Sequence, residues 1–179
     1  MRRPGHPLTL LLLCLVLPCA LSAQNAAPSF GCREAAQRQF DFWLGRWDVT
    51  VGANAAGTNE ITLEEDGCLL HEHWVGSRGG TGQSFNWFDR STGLWHQVWV
   101  DNQGNGLQLA GRFSEGRLTL LGKAPGPDGR PQDQRLSFTP NPDGTAKCCY
   151  VGVVVCEGRP LFVGGALRIA TLARGGAWA

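Results

Sequence analysis

His71 and His73 flank Glu72 in the stretch HEHWVG (71–76), and a third imidazole, His96, follows in LWHQVWVD (94–101). On a β-strand, residues two apart share a face and stand about 7 Å from each other. A catalytic zinc takes three protein ligands and keeps a further position open. His71, His73 and His96 are therefore the candidate metal set, against the plainer reading that they sit at a rim or face solvent. Glu72 and Asp101 form the second candidate. A carboxyl group among indoles has a raised pKa and could serve as a general acid or base. The structural alternative has both accept hydrogen bonds from tryptophan N–H groups or pair with Arg46 or Arg112. The sequence holds no Gly-x-Ser-x-Gly elbow, phosphate loop or dinucleotide fingerprint, so no catalytic constellation is assigned and no cofactor is expected.

The aromatic residues offer a third chemistry, apolar binding. Six tryptophans lie between Trp43 and Trp99. Trp74, Phe85, Trp87, Trp95 and Trp99 are candidates to line a ligand cavity, with Glu72, Gln97 or Asp101 as polar anchors. The same side chains could instead fill a core, since aromatics supply large buried areas and their indole nitrogens need partners.

What must position them is a set of strands. From Arg46 onward the sequence alternates apolar and polar residues and is punctuated by turn clusters such as Asp66-Gly67, Ser91-Thr92-Gly93 and Glu115-Gly116. Strands are expected near 46–52, 58–65, 68–76, 82–89, 94–101, 106–113, 117–123 and 134–139. Short strands joined by hairpins point to an all-β, antiparallel up-and-down barrel, which removes sheet edges by closing. Alternation puts Trp95, Gln97, Trp99 and Asp101 on one face of their strand and Leu94, His96, Val98 and Val100 on the other. In the preceding strand Phe85 and Trp87 oppose Ser84, Asn86 and Phe88. One helix is expected before the strands, over Arg33 to Phe40, with Phe40, Phe42 and Trp43 as a plug.

The N-terminus has the layout of a secretory signal: Arg2-Arg3, an apolar stretch from Leu8 to Leu21, then Ser22-Ala23-Gln24. Cleavage near residue 23 gives a periplasmic or secreted chain with no membrane span, because the apolar run is shorter than the roughly 20 residues a spanning helix needs. About 155 residues then remain, enough for one domain. A formal charge of +1 gives no footprint for nucleic acid. Cys32, Cys68, Cys148, Cys149 and Cys156 stay in the mature chain, and export implies an oxidising compartment. Cys32 and Cys68, in well-patterned sequence, are the candidate disulfide pair.

QFDFWLGRWDVTV (39–51), Gly67-Cys68-x-Leu70-x-Glu72-x-Trp74, and Phe88-Asp89 followed by Gly93-x-Trp95-x-Gln97-x-Trp99-Val100-Asp101 together resemble a family of small exported bacterial proteins of unassigned activity. Gly45-Arg46-Trp47 is also similar to the Gly-x-Trp signature of lipocalin-like (calycin) barrels. That resemblance implies a small apolar ligand as partner. The calycin-like nitrobindins hold haem through a late histidine; none follows His96 here. The likeness covers roughly residues 32–144 and then stops. The domain reading is thus a signal at 1–23, an N-terminal segment with a short helix at 24–39, a barrel at 40–145 and a divergent tail at 146–179. Such a tail has two sources, a frameshift near Thr145 or a genuinely different ending. Either predicts a barrel at risk of incomplete closure, with the β-prone run Cys149 to Cys156 as a substitute strand or an aggregation site.

Overall fold

The computed structural model describes residues 30–126, 128–151, 155–156, 159–160 and 168–174; the expected signal at 1–23 and the start of the N-terminal segment lie outside them. Alternating sequence becomes a continuous antiparallel meander: β1 Gly45–Val51, β2 Asn54–Glu64, β3 Leu69–Gly76, β4 Thr81–Asp89, β5 Leu94–Asp101, β6 Gly106–Ser114, β7 Arg117–Pro125, β8 Pro131–Pro140 and β9 Ala146–Val151. After a two-residue ladder, β10 Val155–Cys156 with β11 Arg159–Pro160, the strand β12 Arg168–Arg174 inserts between β9 and β1. Ten strands, β1 to β9 with β12, thereby form a closed barrel.

Closure settles two expectations. The barrel is complete, because β12 pairs with β1 from Trp47↔Arg174 to Val51↔Ala170 and with β9 from Arg168↔Tyr150 to Leu172↔Ala146. The expected boundary at residue 145 moves accordingly, since the segment after it supplies two barrel strands. Part of the Cys149–Cys156 run is β9 itself; residues 152–154 lie outside the described set.

Turn chemistry fixes the register. Glu115 (φ 51°) and Gly116 (φ 74°) both take positive φ, the two-residue hairpin turn whose twist matches its strands. Asp89 Oδ1 accepts from the Ser91 amide at 2.8 Å, and Asp143 Oδ1 from the Thr145 amide at 2.9 Å, each an aspartate closing its own turn.

One end is plugged. In place of the expected helix over 33–40 the chain makes two 3-10 turns, Ala35–Arg38 and Asp41–Trp43. A longer helix is interrupted because the chain turns Phe40, fully buried, into the barrel mouth. Phe40 stacks on Trp43 (centroids 4.7 Å), meets Trp95 edge-on (5.6 Å) and touches Phe138 (4.9 Å). Trp47 Nε1 donates to the Trp43 carbonyl at 2.7 Å, giving the buried indole its partner. A Cys32–Cys68 disulfide ties the segment before the plug to the start of β3, and Arg38 reinforces the tie by donating to the Cys32 carbonyl (3.1 Å) and pairing with Asp41 (3.0 Å).

The plug carries a large share of the apolar burial. Phe40→Ala should lower the unfolding free energy by about 3–5 kcal/mol, and the Cys32→Ser/Cys68→Ser double variant by about 2–4 kcal/mol, both read as shifts of the urea midpoint at unchanged slope.

Candidate functional site

Period-2 alternation aims one residue in two at the barrel interior, and on β2 to β5 the inward set is unusually polar. Asn59, Glu72, Ser84, Asn86 and Gln97 all point inward and all are buried. They are joined. Asn59 Nδ2 donates to Glu72 Oε1 (2.7 Å) and Ser84 Oγ to Glu72 Oε2 (2.5 Å). Asn86 Nδ2 donates to Ser84 Oγ (2.8 Å) and to the Leu70 carbonyl (3.2 Å). Gln97 Nε2 donates to Asn86 Oδ1 (2.9 Å) and, more weakly, to Ser84 Oγ (3.5 Å). The result is a belt across four neighbouring strands that ends on one carboxyl group.

Burial pushes the Glu72 carboxyl above its ordinary value, and the hydrogen bonds from Ser84 and Asn59 only partly oppose this. His71, on the outer face of the same strand, adds a small opposing attraction. Inside the barrel the Cys148 thiol of β9 is pushed well up by burial, then by the charges of Glu72 and Cys149. A thiol held protonated is a poor nucleophile.

Below the belt the interior is the apolar plug; above it the lining is aromatic and partly open. Trp74, Trp99, Leu107, Leu136, Cys148 and Tyr150 occupy inward register positions yet are only partly buried. Trp99 lies flat on Gly82, where an added Cβ would come within 2.1 Å of the indole ring. Tyr150 donates its hydroxyl to Gln134 Oε1, whose Nε2 donates to the Gln132 carbonyl at 3.2 Å. Two clefts are present: one of about 270 Å³ beside Arg46, Asp48, Glu60 and His73, which reaches Trp47 and the belt residue Asn59, and one of about 410 Å³ beside the disulfide, Trp87 and Arg90.

Of the residues singled out from sequence, Glu72 and Gln97 enter the belt, and Trp74 and Trp99 the lining above it. Trp95 is inward but wholly buried in the plug, against Phe40 and Phe88, with Nε1 directed to Gln39 Oε1 at 3.4 Å. Phe85 and Trp87 do not line the interior. Alternation turns them out, where Phe85 is 49% exposed beside His71 and Trp87 stacks on His96 at 5.1 Å. Asp101 is engaged at the rim, accepting from the amides of Gln103 (2.9 Å) and Asn105 (2.8 Å) and from Asn105 Nδ2 (2.8 Å).

The histidines do not converge. His71 bonds Glu64 (3.1 Å) and Gln83 (2.8 Å), His73 is exposed, and His96 faces Asp89 at 3.8 Å two strands away. Among the described residues no three His, Cys, Asp or Glu side chains group to hold a metal. The expected partners of Glu72 also differ: Arg46 pairs with Glu60 at 2.9 Å, and Arg112 donates to the Gly93 carbonyl at 3.1 Å. Asn59, Ser84, Asn86 and Cys148 were not singled out as a site, although alternation aims each of them at the face that carries Glu72.

No family model matches the chain, and no curated protein matches it either, so the likeness read from its motifs rests on those motifs alone.

The raised pKa of Glu72 has a defined consequence for stability. The folded chain holds that proton more tightly than the unfolded chain, whose carboxyl titrates near 4.5. The stabilisation is full below 4.5 and is lost as pH rises through the folded value. Glu64, Asp89 and Asp143, whose pKa values are lowered by local hydrogen bonds, slope the other way, so the difference between two proteins isolates Glu72. Glu72→Gln should be more stable than the parent at pH 8 and lose the advantage toward pH 4 in parallel urea titrations. A constant difference across that range would show that Glu72 titrates normally.

Proposed function

We propose that this chain is an exported binding protein that takes a small, partly apolar ligand into the open half of its barrel. The observation that carries the reading is the contrast between the two ends. At the plugged end the inward side chains Phe40, Trp43, Trp47, Trp95, Leu118 and Phe138 are sealed. At the other end Trp74, Trp99, Leu107 and Leu136 face inward and keep accessible surface. Aromatic and aliphatic walls with a few convergent polar groups are what small-molecule sites have in common. The Glu72 belt supplies those groups at the floor of this half, where a ligand's polar end would stop. Trp74 and Trp99 supply flat apolar walls, and Gly82 leaves the room that lets Trp99 lie against the sheet.

The neutral fluorophore N-phenyl-1-naphthylamine tests the reading. The folded chain should bind it saturably with energy transfer from tryptophan. Trp99→Ala should weaken both binding and transfer severalfold, while Phe85→Ala on the outer face should leave them unchanged. A folded protein that gives no saturable signal, or one in which the outer-face variant alone loses it, would rule out an interior site.

A further inference from the structure

Resting on the interior site just proposed, we infer that its ligand carries a positively charged hydrogen-bond donor, an alkyl- or arylammonium group, which docks on Glu72 and Asn59. The direction of the hydrogen bonds leads there. An ionised carboxylate only accepts, and both donors that reach Glu72, Asn59 Nδ2 and Ser84 Oγ, come from the belt itself. Asn86 places its amide hydrogens on Ser84 and the Leu70 carbonyl, and Gln97 directs its own to Asn86 and Ser84. Apart from the second hydrogen of Asn59 Nδ2, the donors are thus engaged inside the belt, and acceptors are left over.

One of those acceptors has nothing to accept. Asn59 is 7% exposed, and its Oδ1 is fully buried with no partner among the described residues. The same amide is held in its orientation by donating to Glu72. A buried acceptor without a donor costs on the order of 1–3 kcal/mol, and Glu72 itself forms no ion pair among the described residues. An ammonium group supplies donors to both atoms and, as an adjacent positive charge, favours the ionised form of Glu72 that burial alone disfavours.

The surroundings favour a cation over an anion. On the facing wall the Tyr150 hydroxyl is given to Gln134 and the Gln134 amide to the Gln132 carbonyl, and the Cys148 thiol feels the negative charge of Glu72. A carboxylate-headed ligand would meet the same charge at closer range. Trp74, paired in register with Asn59, lays its indole against Gly57 and Gly76 on the open side of the belt, along the path to the site, and indole faces attract ammonium groups. General electrostatics does not explain such a preference, because the chain's formal charge is +1.

Displacement of N-phenyl-1-naphthylamine by decylammonium, decanol and decanoate, each below its micelle concentration at neutral pH, tests the inference on the full chain. Decylammonium should bind at least roughly tenfold tighter than decanoate and tighter than decanol, the scale of a charge-assisted hydrogen bond. In Glu72→Gln, whose folding is checked by its urea titration, the gap should collapse while decanol binding persists. Equal or tighter binding of decanol or decanoate, or an ammonium preference that survives Glu72→Gln, would overturn the ammonium assignment and leave the interior site standing. Failure of the dye and all three probes to bind a folded chain would remove the interior site as well.

Discussion

Everything inside this barrel depends on one strand being paired on both sides. Residues 168–174 lie between β9 and β1, so the sheet has no free edge and the inward faces of β2 to β5 look at a wall instead of at water. Without that pairing two strand edges would lie open, and Glu72, Ser84 and Asn86 would be solvated side chains with ordinary properties. The burial that raises the Glu72 pKa, and the nearness of Cys148 on β9, both follow from closure. Leu172, buried opposite Val49 and Ala146, helps seal the joint at the plugged end.

The barrel then divides along its axis. One half is apolar, organised by Phe40 and Trp43 dropping between Trp95 and Phe138. That half has the character of a packed core, and the disulfide with the Arg38 contacts keeps its lid in register with β3. Among the described residues the other half keeps aromatic walls without an aromatic stopper, and the belt lies at the junction. Division of labour of this kind lets stability be concentrated where nothing has to enter.

Strand positions and faces were legible because period-2 alternation and turn residues are local signals. Trp95, Gln97 and Trp99 share the inward face as the pattern requires, and the plug residues announce themselves as an aromatic cluster ahead of the first strand. The site was legible only in part, for two physical reasons. Phe85 and Trp87 were weighed by residue type, whereas facing is decided by parity, and parity turns them outward. The belt is a cross-strand object: Asn59 reaches Glu72 across one ladder and Gln97 reaches Asn86 across another, so its members are up to 38 positions apart in a chain that shows no motif joining them. Closure by β12 was the least legible feature, because strand pairing over that distance depends on the whole sheet and leaves no local mark.

A folding role alone does not account for the belt. The plugged half shows that this chain can fill a barrel with Leu118, Leu120, Phe138 and Trp95 at almost zero exposure. Aliphatic side chains of similar size at 59, 72, 84, 86 and 97 would pack the same wall without desolvating a carboxyl, and replacement of buried polar sets by apolar ones is often neutral or stabilising. A network built for stability would also be closed on itself, every donor meeting an acceptor. This one is polarised: donors converge on Glu72, and Asn59 Oδ1 is left over beside it. A network that leaves a carboxylate and a carbonyl oxygen side by side without a cation among the described residues is complementary to a donor of positive charge, and under the proposed reading the open half of the barrel is the side from which such a ligand would arrive.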